Sequence, residues 1–121
     1  MFVCNEGQRV LPRDFEKGVP QEAAKVFISQ PMRDRDGKEI AEERARIMDY
    51  MPKYLGRPCM EIGSYFGENA GMAPLQCLGQ SLILMADADV VAFAKGWQDA
   101  RGCRIEHDCA VEYGIPTVEV I

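Results

Sequence analysis

One carboxylate stands among apolar neighbours. In Gly102-Cys103-Arg104-Ile105-Glu106-His107-Asp108-Cys109-Ala110-Val111-Glu112-Tyr113-Gly114, helical spacing places positions 102, 105, 106, 109, 110 and 113 on one stripe. Its members besides Glu106 are Gly102, Ile105, Cys109, Ala110 and Tyr113, while Arg104, His107, Asp108 and Glu112 fall on the opposite face. A carboxylate facing inward is costly unless it is hydrogen-bonded, paired or used. In a dry cleft it can serve as a nucleophile or stabilise a developing positive charge. The spacing also puts Glu106 in the first helical turn, where negative charge is favoured. A first-turn glutamate satisfied by backbone N–H groups gives the same pattern, so both readings stay open. Cys103 invites two further readings, a thiol activated by the helix N-terminus or a small buried residue. Cys103 and His107 share a helical face four residues apart, but no further ligand stands at suitable spacing, and no metal is expected.

The surrounding pattern says what positions this helix. Lys25-Val26-Phe27-Ile28-Ser29 reads as a first core strand ended by Pro31. Asp36-Gly37 marks a turn, and Lys38 to Tyr50 reads as a helix with Ile40, Ala41, Ala45, Ile47, Met48 and Met51 inward and a Glu42–Arg46 pair outside. Cys59–Ile62 is a second, weaker strand. Gly63 to Ala73 reads as a loop, and Pro74 opens a helix apolar nearly all round, through Leu75, Leu78, Leu82, Ile83, Leu84 and Met85. Asp89-Val90-Val91-Ala92-Phe93-Ala94 barely alternates, as expected of a parallel strand covered on both faces. Gly114 caps the Glu106 helix, and Pro116 to Ile121 forms a last strand. Residues 1–24, broken by Pro12, Gly18 and Pro20, read as an N-terminal extension with room for a short strand, and 25–121 as the domain proper.

The order β-α-β-α-β-α-β predicts an α/β fold: a three-layer, flavodoxin-like or Rossmann-like sandwich around a parallel sheet of four to five strands. Ligands of such sheets bind at the carboxyl ends of the strands. That singles out Ser29-Gln30-Pro31-Met32, the segment from Lys95 to Asp99, and the start of the Glu106 helix. No G-x-G-x-x-G follows the first strand, and neither a Walker A sequence nor a G-x-S-x-G elbow is present. The one histidine, His107, is placed outward, which excludes a Ser-His-Asp hydrolase.

Composition narrows the partners. The chain has 121 residues and a net charge of −5, so a nucleic-acid polymer is not expected to bind. No apolar run suits a membrane span, and the start lacks a signal-peptide pattern. Five cysteines without C-x-x-C spacing suit free thiols. A cytoplasmic protein is expected.

Val26-Phe27-Ile28-Ser29-Gln30-Pro31-Met32, Ala88-Asp89-Val90-Val91-Ala92-Phe93, Gly96-Trp97 and Gly102-x-x-x-Glu106-x-x-x-Ala110-x-x-x-Gly114-Ile115-Pro116, in that order, resemble the nucleoside 2-deoxyribosyltransferase-like superfamily, in particular its small bacterial and phage branch. The resemblance covers about residues 25–121. It implies cleavage of the N-glycosidic bond of a (deoxy)nucleoside or nucleoside 5′-monophosphate, with sugar transfer to another base or to water. Glu106 falls on the family's catalytic glutamate. Ser29, Gln30, Pro31 and Met32 fall on the base and sugar pocket, and Trp97 to Gly102, with Asp99 and Arg101, on the segment holding the sugar's 5′ end. Asp99 suits a free hydroxyl, whereas Arg101 and Arg104 suit a phosphate. Asp89, Asp87 or a tyrosine is expected to protonate the leaving base, although Asp89 also fits a solvent-facing strand start. Trp97 offers a flat face for base or sugar, or plugs the sheet edge. No cofactor is implied. A homodimer or higher homo-oligomer is expected, with 63–73 and 74–86 as contacts. The alternative is a non-catalytic nucleotide-binding module of the same fold.

Overall fold

A computed structural model of the chain describes residues 2–4, 23–63 and 71–120. The rest of the expected N-terminal extension, and most of the expected glycine-rich loop, lie outside the described residues.

The elements in order are β1 (Phe2–Cys4), β2 (Ala24–Ser29), α1 (Gly37–Leu55), β3 (Cys59–Ile62), α2 (Pro74–Met85), β4 (Val90–Phe93), a 3-10 turn (Trp97–Asp99), α3 (Arg101–Glu112) and β5 (Thr117–Val120). The sheet order is β1-β5-β4-β2-β3. β2, β3, β4 and β5 run parallel, and β1 closes one edge antiparallel to β5. The four parallel strands therefore follow the doubly wound order in which the second lies outside the first, and the chain then reverses direction across the sheet. That reversal falls between β2 and β4, where Ser29 stands beside Phe93.

Alternation along the strands sorts the core into two layers. Val26, Ile28, Val90, Ala92, Ala94 and Val118 meet Ile47 and Met51 of α1 on one face. Phe27, Val91 and Phe93 meet Met85 of α2 and Ala110 of α3 on the other. β4 is buried along its whole length, as its unbroken apolar run requires. Each of its larger side chains contributes about 1.5–3 kcal/mol over an exposed position.

The caps follow from local chemistry. Asp36 is the N-cap of α1, its Oδ1 accepting from the Glu39 N–H at 2.7 Å, so the expected turn is also the helix start. α3 ends in a Schellman arrangement: Ile115 N–H donates to the Ala110 carbonyl and Gly114 N–H to that of Val111. Gly114 takes φ of 72°, a conformation that suits glycine.

Three sequence expectations change. α1 runs to Leu55, and its buried residues are Ile40, Arg44, Ile47 and Met51, while Ala41 and Ala45 are exposed. Glu42 and Arg46 are also exposed, and no ion pair between them is among those formed by the described residues. In α3 the buried residues are Cys103, Glu106 and Ala110, whereas Tyr113 is 83% exposed and Ile105 also reaches solvent. The stripe is narrower than the apolar spacing implied and turned by about half a position.

Candidate active site

β2 ends at the switch point, and the parity that sends Phe27 toward α3 sends Ser29 the same way. Ser29 Oγ donates to Glu106 Oε1 at 2.6 Å, and both residues are buried, at 1% and 7% exposure. Glu106 is the sixth residue of α3, whose first turn carries no acidic residue, so the expected first-turn placement is corrected to the second. The helix-terminal field fades over that distance. Burial is the main influence on this carboxyl and raises its pKa above the ordinary value of 4.5. The Ser29 hydrogen bond, the Ser81 hydroxyl of α2 and the positive charge of Arg44 act in the opposite sense. Ser29 supplies the 2.6 Å hydrogen bond to the carboxylate, and Ser81 of α2 faces it from the other side of the cavity wall.

Glu106 lines an open cavity of about 750 Å³ bordered by the β2–α1 segment, α2, the end of β3 and the start of α3. Pro31 and Met32 form part of its wall, and Gly96, Asp99, Arg101 and Gly102 line the side facing α3. Cys103 lies there too, beside Ser29 and Glu106. Burial pushes its thiol up to about 11, which favours the small buried residue over an activated nucleophile.

The start of α3 is pinned from two sides. Arg104 Nη1 donates to the Gln98 carbonyl at 2.9 Å, and Trp97 Nε1 donates to Glu119 Oε1 on β5 at 2.8 Å. Trp97 stacks on His107 with centroids 4.4 Å apart, and both rings lie against Phe93. Trp97 is absent from the cavity wall. Trp97 packs over the inner strands β4 and β5 through Phe93 and Glu119, so it neither lines this cavity nor plugs a sheet edge. His107 is half-buried rather than outward because it packs against the same rings.

Asp89 is exposed at the strand start, as its second sequence reading has it, and away from the cavity. Its Oδ2 accepts from the Lys25 backbone N–H at 2.8 Å, at the amino ends of the strands, opposite the cavity. Asp87 immediately follows α2 at that same end. The carboxyl groups that share the cavity with Glu106 among the described residues are Asp34 and Asp99.

Gln30 lines the cavity but is already bonded. Its Nε2 donates to the Ile40 carbonyl at 2.9 Å and to Glu43 Oε1 at 2.7 Å, and its Oε1 accepts from Arg44 Nη1 at 3.1 Å. With both amide protons engaged it acts as a brace. Arg35 extends the brace to the Pro31 carbonyl at 2.7 Å and to Glu43 at 2.9 Å. On the other side Arg44 Nε donates to Glu61 Oε2 at 2.6 Å and Nη2 to the Gly63 carbonyl at 3.0 Å. Gly63 has φ of 76°, and a Cβ there would sit 3.0 Å from Leu84 Cδ1 and 3.2 Å from Phe27, so only glycine fits without repacking. Arg44, Asp34 and Ser81 line the cavity and were missed from sequence; for Arg44 alone was there a signal. A charge on the inward stripe of α1 was the available signal.

Among the described residues no three His, Cys, Asp or Glu side chains gather as metal ligands, and no helix is long and apolar enough to cross a membrane. The fold and site define a doubly wound α/β protein with a buried carboxylate at the switch point of its sheet. No family model matches the chain, and neither the curated proteins nor the solved structures give a match to it.

Proposed function

We propose that this protein cleaves the N-glycosidic bond of a (deoxy)nucleoside or nucleoside 5′-monophosphate in the manner of the nucleoside 2-deoxyribosyltransferase-like enzymes, with Glu106 as nucleophile. One observation carries the reading: a buried carboxylate, held by Ser29 at 2.6 Å, faces a cavity at the switch point. Glycosidic cleavage builds positive charge on the anomeric carbon, and a carboxylate in a dry cleft stabilises it and can bond to the carbon. Glu106 attacks the anomeric carbon, the carbon–nitrogen bond breaks with its electron pair on the base, and the base takes up a proton. Among the described residues Asp34 and Asp99 are the other carboxyl groups lining the cavity, and Asp89, at the opposite ends of the strands, is out of reach of it. A second base or water then displaces Glu106 from the sugar. Ser29 holds one carboxylate oxygen in place and leaves the other for attack.

The reading extends to assembly. Leu75 and Ile83 of α2 are 77% and 66% exposed, which supports a homodimer or higher homo-oligomer meeting through α2. Light scattering on the full chain tests this directly.

The functional test is base release. The protein is incubated with deoxynucleosides, ribonucleosides and their 5′-monophosphates, with and without a second free base, beside Glu106→Gln. Free or exchanged base from the wild type alone supports the proposal, and the preferred substrate settles the 5′ group. Ligand binding without release from any substrate returns the protein to the nucleotide-binding module and Glu106 to a structural role.

A further inference from the structure

The charged residues between β2 and α1 divide by task. Arg35 Nε donates to Glu39 Oε1 at 3.0 Å, and its Nη1 donates to Glu43 Oε1 at 2.9 Å and to the Pro31 carbonyl at 2.7 Å. Asp36 caps α1. Asp34 differs from both. It lines the cavity at its exposed rim, and among the described residues its carboxylate has neither a hydrogen bond nor an ion pair. Its backbone sets it further apart. Asp34 has φ of 60° and is the one non-glycine residue with positive φ among the described residues. The other left-handed positions described are Gly56, Gly63, Gly71, Gly96 and Gly114, and two of these, Gly63 and Gly96, line the same cavity. Arg35 N–H closes a turn onto the Met32 carbonyl at 3.3 Å, with Asp34 as its third residue, a place where positive φ selects glycine or asparagine. A left-handed conformation is unfavourable for an L-residue, and a short polar side chain offsets this by bonding locally. Asp34 makes no such bond among the described residues. The Arg35 bonds tie the turn to α1 and to Pro31, so the carboxylate stands at the rim on a fixed backbone. Strain held in place beside a cavity is a mark of residues that meet a ligand.

We propose that Asp34 is a specificity-determining residue of this site: its carboxylate accepts a hydrogen bond from an N–H or O–H group of the substrate, and the turn keeps a strained aspartate where glycine would fit more easily. This rests on reading the cavity as the nucleoside site. Two groups of a nucleoside have that chemistry, an exocyclic amino group of the base and a hydroxyl of the sugar. A carbonyl or a phosphate at the same point is disfavoured, because it sets an acceptor or a negative charge against the carboxylate.

The test is binding, measured by calorimetry in a Glu106→Gln background so that nothing turns over, with base release followed separately in proteins that keep Glu106. Deoxyadenosine is compared with purine 2′-deoxyriboside, and deoxyguanosine with deoxyinosine, the second of each pair lacking the amino group. Adenosine against deoxyadenosine, and deoxyadenosine against its 5′-deoxy analogue, test the hydroxyls. The expected result is that one of these pairs is discriminated roughly tenfold or more, and that Asp34→Gly and Asp34→Ala bring that ratio close to unity. Asp34→Gly relieves the backbone and Asp34→Ala does not, so the glycine variant should melt about 4 °C above the alanine variant. Discrimination unchanged in the folded glycine variant overturns the proposal, and persisting base release then leaves the glycosidic reading intact. A Glu106→Gln protein that discriminates none of the pairs overturns it too, as do equal melting temperatures of the two Asp34 variants, because the turn is then unstrained. A ratio that collapses in both variants, with no base release from any protein, upholds Asp34 and discards the glycosidic reading instead.

Discussion

Removing the Ser29 hydroxyl should uncouple the candidate nucleophile from the sheet, and the size of the effect follows from the geometry. Ser29→Ala deletes one oxygen at a fully buried position, so little packing is lost. What goes is a 2.6 Å bond to a buried carboxylate, short enough to be charge-assisted. Such a bond contributes about 1.5–3 kcal/mol, against about 0.5–1.5 kcal/mol for a neutral one. At pH 7.5 Ser29→Ala should thus lose about 2 kcal/mol. For a chain of this length that lowers the melting temperature by roughly 8 °C. In a Glu106→Gln background the acceptor is neutral, and the same change should cost about 1 kcal/mol, leaving a coupling of about 1 kcal/mol. Urea denaturation of the four proteins of this cycle measures it. The pH dependence is a second check. The Ser29 bond lowers the Glu106 pKa against the larger effect of burial. The gap between wild type and Ser29→Ala should be full above the folded-state pKa and shrink as pH falls through it and the acceptor becomes neutral. A cost that is the same in both backgrounds to within about 0.4 kcal/mol would mean that the serine serves packing alone and does not hold the carboxylate.

Glu106→Gln should abolish base release yet gain stability relative to wild type as pH rises. Because burial raises the folded-state pKa above the ordinary value of 4.5, the folded protein holds a proton that the unfolded chain gives up. The corresponding stability is present below that ordinary value and is lost as pH rises through the folded one. Denaturation midpoints of the two proteins at pH 4 and pH 7.5 should diverge in favour of the variant, and parallel midpoints would contradict the burial argument. Asp89→Ala should leave base release within about twofold of wild type while losing about 1 kcal/mol, because it frees the Lys25 N–H at the strands' amino ends; a large loss of release with stability intact would restore Asp89 to the site. Gly114→Ala should cost about 1–2 kcal/mol in thermal melts without altering release, since nothing lies within 4 Å of the added Cβ and the φ of 72° is the whole penalty.

What the sequence disclosed and what it hid divide along one physical line. Strands β2 and β4 were legible because burial on both faces leaves a dense apolar run whatever lies around them. Glu106 was legible because one carboxylate on an apolar stripe is a local contradiction. Arg44 is the same contradiction on α1, and it was hidden by Ala41 and Ala45, whose apolar side chains offered a plausible inward face. Alanine fits either face of a helix, so the two alanines carried little information about direction, whereas Ile40, Arg44, Ile47 and Met51 share one buried line. Tyr113 and Ile105 misled in the opposite sense: both are apolar enough to bury, but α3 touches the sheet along a narrow seam and leaves them outside it. Asp89, which is the exposed strand-start residue of its second reading, and Trp97 stayed ambiguous for a third reason. Their roles depend on which end of the sheet they occupy and on which neighbour takes the exposed ring or lone pair, and neither is written in local spacing. β1 belongs with them, since its place beside β5 is a tertiary pairing. Charged residues on inward stripes were therefore the most dependable pointers to this site, because burying them needs a partner. The two buried among the described residues, Arg44 and Glu106, come from different helices on opposite faces of the sheet and line one cavity.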